Sequence, residues 1–331
     1  VSETVHIKEL GDKVAAEIFT TLGWKRTGPT DYRWTCVEQE KHGKKRRLVH
    51  PSDVVFNYHD PYYGRTVYVN TDLKSYAADS TAAYDPKKDL LSLVSAVECA
   101  NKSGTFREQY IYDGEPWVVE GMLFVYNHDG EYDENFGTKL DKAPLRTRMP
   151  GKERVFVVGP QRILQLYSVC RDIDSRIQKL SRGGDFDSSG FVAPDLDVTK
   201  VKGKKVGAAT LEMITGPWLL HQIRPKGGAK LIQVYYMDAE PSVNDFKYLI
   251  DALLDFQLLG DAGEITICVL NSKAENAAAF SAARNEYAAE NHGITDEALD
   301  VFRARLERIK YASVATVIPP FFELELALTN G

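Results

Sequence analysis

Apolar residues recur at helical spacing near the start of the chain. Val14, Ile18 and Leu22 form an i, i+4 stripe with Ala15 and Phe19 alongside, and Gly11-Asp12 before it and Gly23 after it supply start and stop signals. Two strand patterns follow. Asp53-Val54-Val55-Phe56-Asn57-Tyr58 and Thr66-Val67-Tyr68-Val69-Asn70-Thr71 are rich in β-branched and aromatic residues and contain no Pro or Gly. Asp60-Pro61-Tyr62-Tyr63-Gly64 between them has turn chemistry, so the pair predicts an antiparallel hairpin.

The alternation of helix and strand patterns continues. Asp89 to Ala100 predicts a mostly buried helix through Leu90, Leu93, Val94 and Val97, and Trp117 to Asn127 predicts a long strand with a bend at Gly121. Glu153 to Val158 reads as another strand, Gly159-Pro160 as a break, and Gln161 to Leu180 as a helix. Farther on, Lys230 to Tyr236 and Glu264 to Leu270 are strands flanking a helix from about Val243 to Leu259. Helical stretches Ala274 to Glu290 and Thr295 to Lys310 and a strand Ala312 to Ile318 complete the pattern.

The 331 residues, 44% of them hydrophobic, suffice for about two domains. The Gly-, Asp- and Ser-rich stretch from Ser181 to Lys205 predicts a linker or long loop, dividing a domain at 1–180 from an α/β domain at 206–331. The second has no phosphate-loop glycine pattern, and substrate selection or assembly is the role expected of it.

Candidate chemistry concentrates in the first domain. Strand side chains alternate, so in Asp72-Leu73-Lys74 the aspartate and lysine point the same way while Leu73 points to the core. Antiparallel pairing through the predicted turn sets Asp53 beside Asp72. Glu17, on the flank of the first helix's stripe, is placed to reach a site at the sheet's edge or to face water. Neighbouring carboxylates repel unless a cation lies between them, and a divalent ion with oxygen ligands is the usual solution. Lys74 would then orient an attacking water and stabilise charge at phosphorus. The alternative is a surface hairpin ending in an ordinary Asp-Lys pair.

The order of a helix with Glu17, Pro51-Ser52-Asp53 heading a strand, and Asp72-Leu73-Lys74 ending the next resembles the PD-(D/E)xK nuclease superfamily, over about the first half of the chain. Ser52 interrupts the family's Pro-Asp step. The resemblance implies a restriction-endonuclease-like α/β fold, a mixed sheet flanked by helices, followed by a second, smaller α/β domain. It makes Asp53 and Asp72 the metal ligands, Lys74 the catalytic lysine and Glu17 the helix carboxylate, with Mg²⁺ or Mn²⁺ as cofactor. The implied activity is hydrolysis of phosphodiester bonds in nucleic acid, DNA ahead of RNA, and similar proteins act in bacterial anti-phage defence or mobile elements. Such proteins often need a partner, so a homo-oligomer or a partner protein is expected. The alternatives are a catalytically inactive subunit of the same fold that binds nucleic acid or scaffolds a partner, and a pure protein-interaction subunit.

Charge, cysteines and hydropathy adjust this picture. A net charge of −6 argues against bulk electrostatic coating of nucleic acid. Lys41, Lys44, Lys45, Arg46 and Arg47 nevertheless lie within seven residues just ahead of Asp53, either to grip phosphates or as a solvated hairpin tip. Tyr58, Tyr62, Tyr63 and Tyr76 cluster around the expected site, to stack on bases or simply to pack. Cys36, Cys99, Cys170 and Cys268 are far apart, which predicts reduced core thiols and no zinc knuckle. His50, His59 and His128 are isolated, each a surface or satisfied residue. No run of 18 apolar residues and no signal sequence is visible, which predicts a soluble cytoplasmic protein without membrane association.

Overall fold

The computed structural model describes residues 2–42, 49–112, 114–141, 153–193, 205–237, 240–290 and 296–319. Its contacts divide the chain into two compact units, Val1–Tyr167 with Ile318–Gly331, and Ser168–Val317.

The first unit begins with helix α1 (Ser2–Thr21), followed by strands β1 (Lys25–Thr27), β2 (Tyr32–Thr35), β3 (Val49–Ser52), β4 (Val54–Asp60) and β5 (Arg65–Tyr76). Helices α2 (Ala78–Ala83), α3 (Lys87–Ala100) and α4 (Gly104–Tyr110) precede β6 (Trp117–Asn127). Helix α5 (Gly137–Asp141), β7 (Val155–Val158) and α6 (Pro160–Arg182) follow, and the boundary between units falls inside α6. Among the described residues five strands form a mixed sheet in the order β1-β4-β5-β6-β7, and β2 and β3 form a separate two-stranded ribbon.

Helix α1 starts nine residues before the glycine expected to open it. Gly11 is tolerated inside the helix because that turn lies against β5, where a Cβ on Gly11 would sit 3.7 Å from Ser75. The apolar stripe does what its spacing implies: Val14, Ile18, Phe19 and Leu22 are fully buried, and Phe19 stacks on Trp24 at 4.6 Å.

The β4–β5 hairpin forms through the predicted turn. Asp60 caps it by accepting the Tyr62 N–H at 2.9 Å, and Gly64 takes the left-handed conformation, φ 59°, that closes the turn. Strand β5 then pairs with β6 in parallel, which requires a crossover, and α3 lies on that connection.

Strand β6 runs unbroken through Gly121 and keeps one register with β5 along its length. Packing requires the glycine there. A Cβ there would lie 2.9 Å from Val97, 3.0 Å from Val155 and 3.1 Å from Leu93, so its absence lets α3 approach the sheet.

The second unit carries β8 (Phe186–Ala193), β9 (Lys205–Gly207), α7 (Leu211–Thr215), β10 (Trp218–Pro225), β11 (Lys230–Tyr236), α8 (Val243–Asp255), α9 (Leu258–Asp261), β12 (Ala262–Leu270), α10 (Ala274–Glu290), α11 (Asp296–Glu307) and β13 (Ile309–Val314). Its described strands form one sheet in the order β13-β12-β11-β10-β8-β9. The β11–β12 and β12–β13 pairs are parallel, and α8 and α10 supply Phe246, Leu249, Ile250 and Phe280 to its core.

The stretch from Ser181 to Lys205, read as a linker or long loop, is corrected here: residues 186–193 form β8, paired antiparallel with β10. Gly190, one of the residues that suggested a loop, is a strand residue at which a Cβ would fall 2.8 Å from Val206.

Replacing Gly121 with alanine should destabilise the first unit by about 1–3 kcal/mol, the usual cost of overpacking a filled interior. Urea unfolding followed by tryptophan fluorescence checks this, and an unchanged midpoint would contradict the packing account.

Candidate active site

Ser52 ends β3 and Val54 begins β4, so Asp53 occupies the single residue between two strands that belong to different sheets. Its carbonyl accepts the Asp31 N–H at 2.9 Å, which fixes the backbone at that step. The hairpin register pairs Val54 with Thr71, and the next position on each strand brings Asp53 alongside Asp72.

Asp53 Oδ2 accepts the Leu73 N–H at 2.9 Å, and Lys74 Nζ donates to Asp72 Oδ1 at 2.5 Å. The carboxylates face a cavity of about 30 Å³, lined also by Asn70, Thr71, Ser92 and Leu93. That volume admits a water or a bare cation.

Burial pushes the Asp72 carboxyl up from its ordinary 3.8 to about 6. The ammonium of Lys74 opposes this and the charge of Asp53 adds to it. For Lys74 burial acts downward, yet Asp72, Asp89 and Asp53 outweigh it and raise its pKa, so the ammonium keeps its proton. The site is thus an acidic pair short of positive charge, with one lysine partly compensating.

The donor set fits a hard divalent cation. Two carboxylates suffice for magnesium, which retains several waters and binds substrate oxygens as well. Asn70, 1% exposed, lines the same cavity, and neither its amide nitrogen nor its oxygen has a hydrogen-bond partner among the described residues. A solvated ion would satisfy both.

Of the residues singled out from sequence, Asp53, Asp72 and Lys74 come together. Glu17 is an exposed residue of α1, and the hydrogen bonds that join Asp53, Asp72 and Lys74 do not include it. Leu73 is half-buried rather than fully in the core. Lys41 pairs with Glu98 of α3, while Lys44, Lys45, Arg46 and Arg47 lie outside the described residues. Tyr76 stands beside Tyr84 at 5.1 Å, and Tyr63 is exposed with Arg65 over its ring at 4.7 Å.

Sequence reasoning passed over Asp89. This residue of the first turn of α3 accepts from the Tyr84 hydroxyl at 2.7 Å, and its charge acts on Lys74. Its position at a helix start was visible, but nothing along the chain connects it to Lys74.

Residues 2–162 match the family model described as the GAPS4 protein PD-(D/E)XK nuclease domain, and the match lies within the first unit. No curated protein matches the chain. PD-(D/E)XK nuclease domains bind nucleic acid and generally use divalent metals. No helix among the described residues is long and apolar enough to cross a membrane.

The raised pKa of Asp72 gives a pH dependence with a definite sign. Between pH 3.8 and about 6 the folded chain holds a proton that the unfolded chain has lost, so metal-free stability falls as pH rises through that window and stays low above it. In EDTA, Asp72→Asn should therefore melt higher than the wild type at pH 8, and the two should converge towards pH 4. Equal melting temperatures at pH 8 would contradict the electrostatic reading.

Proposed function

The chain belongs, through residues 2–162, to the PD-(D/E)xK nuclease superfamily, and from that premise we propose that it is a Mg²⁺-dependent nuclease that hydrolyses phosphodiester bonds, DNA before RNA. The observation that carries the reading is that Asp53 and Asp72 line one cavity while Lys74 donates to Asp72.

Asp53 and Asp72 would hold the ion. When bound, Mg²⁺ supplies a water of lowered pKa and neutralises charge on the phosphodiester oxygens. Lys74 keeps its proton at neutral pH and would offer that charge as a hydrogen-bond donor to a phosphoryl oxygen. Asp89, acting on Lys74 through its charge, would position that ammonium. The Leu73 N–H orients the Asp53 carboxylate beside Asp72.

The family described as GAPS4 supports a role in anti-phage defence, in which cleavage is held back until a trigger arrives. A homo-oligomer or a partner protein would supply that restraint. The second unit is the candidate for assembly or substrate selection.

The full chain, alone and with a co-expressed neighbouring protein, should degrade DNA in Mg²⁺ or Mn²⁺ and stop on addition of EDTA. Asp72→Ala and Lys74→Ala should each lower the cleavage rate by about 100-fold or more, while Glu17→Ala should cut normally. Full activity in both site variants would reject the assignment. Nucleic-acid binding without cleavage under every metal and partner condition would favour an inactive, scaffolding subunit.

A further inference from the structure

We propose that Cys36, His42, His50 and Cys99 form a structural zinc site. It shares no residue with the carboxylate cluster and goes beyond the nuclease reading.

The four side chains come from three places in the fold. Cys36 directly follows β2, His42 lies in the turn beyond it, His50 is in β3 opposite Trp34, and Cys99 is in the last turn of α3. One ligand atom from each lies within 4.8 Å of all the others. Cys36 Sγ and Cys99 Sγ are 3.6 Å apart, and His42 Nδ1 is 3.6 Å from the first and 3.3 Å from the second.

Zn–S bonds of about 2.3 Å and Zn–N bonds of about 2.05 Å at tetrahedral angles give S···S edges of about 3.8 Å and S···N edges of about 3.6 Å. The three separations among Cys36, Cys99 and His42 fall within a few tenths of an ångström of those edges, and His50 completes the set within 4.8 Å. They also far exceed a disulfide bond of about 2.05 Å. Two thiolates with two imidazoles suit zinc rather than a hard, oxygen-seeking ion.

The orientation of His42 is a second, independent indication. While Nδ1 is directed at both sulfurs, Nε2 lies 3.0 Å from Glu98 Oε2. A carboxylate behind a ligating imidazole fixes its tautomer and increases its basicity, the usual arrangement behind a zinc-bound histidine. Glu98 is itself held by Lys41 and by Lys102 at 3.3 Å.

Four protein ligands fill a tetrahedral zinc and leave no position for substrate, which makes the site structural. Its place in the fold suits that role. Strands β2 and β3 form a two-stranded ribbon outside the main sheet, and such a ribbon is marginal unless something else secures it. Zinc would tie both of its strands to α3. His42 and His50 also bracket in sequence the segment that carries Lys44, Lys45, Arg46 and Arg47.

The full chain, purified without chelator from zinc-supplemented cells, should contain about one zinc per chain by elemental analysis. Cys36→Ser and Cys99→Ser should each lose most of it, whereas Cys170→Ser and Cys268→Ser, at the other two buried cysteines, should retain it. Because the first two variants can also fail by misfolding, the wild-type chain loaded with Co²⁺ is the deciding sample. It should show the visible bands of a tetrahedral ion and a thiolate-to-cobalt charge-transfer band, both displaced by Zn²⁺. Asp72→Ala should keep its zinc while losing cleavage, which separates failure of this proposal from failure of the nuclease reading. A reduced wild-type chain that takes up neither Zn²⁺ nor Co²⁺, a Co²⁺ spectrum without thiolate bands, or a Cys36–Cys99 disulfide in its place would overturn the site.

Discussion

The register of the β4–β5 hairpin is the constraint on which the first unit's chemistry depends. Pairing Val54 with Thr71 forces two carboxylates together where β4 begins, partly out of water, where their like charges oppose one another. A slip of one residue would send Asp72 to the opposite face and dissolve the cluster. The Asp60 turn and Gly64 hold that register at one end of the hairpin. At the other end the Leu73 N–H and the Lys74 ammonium hold the carboxylates. The residual excess of negative charge is what makes a divalent cation the natural occupant.

Helix α3 connects this cluster to the rest of the unit. Its first turn carries Asp89, whose charge reaches Lys74, and Ser92 and Leu93 line the cavity. Its middle lies so close to β6 that Gly121 cannot carry a side chain without displacement. Its end bears Glu98 and Cys99, facing the Cys36 and His42 side chains. One helix of 14 residues, about 21 Å long, therefore spans both polar centres. A metal fixed at its C-terminal end would also fix the position of Asp89 at its start.

The residues that line the cavity and the Cys/His cluster all belong to the first unit. The second unit has a partly buried polar network of its own, in which Asp172 accepts from the Tyr235 hydroxyl at 2.7 Å and from Arg176 at 2.6 Å. Burial pushes His221 nearby down to about 4, so it is neutral at physiological pH. A satisfied ionic group of this kind orders a core without implying catalysis. Glu240, just past β11, forms a surface ion pair with Lys273 at 2.6 Å.

Local sequence determined the elements that carry the carboxylate cluster. Alternation in β5 put Asp72 and Lys74 on one side, turn chemistry at Asp60 to Gly64 made the hairpin antiparallel, and antiparallel pairing brought Asp53 alongside. Each is a relation among residues close in the chain or joined by a tight turn, so period and turn type suffice to state it. The exposed position of Glu17, the charge of Asp89 on Lys74 and the strand inside the expected linker depended on packing between distant segments, which periodicity does not encode. The Cys36, His42, His50 and Cys99 cluster is the clearest case. Its ligands are separated by five, seven and forty-eight residues, a spacing with no local signature. Only the docking of α3 against the β2–β3 ribbon brings cysteines 63 residues apart within 3.6 Å, because ligand geometry is a property of space and not of sequence separation.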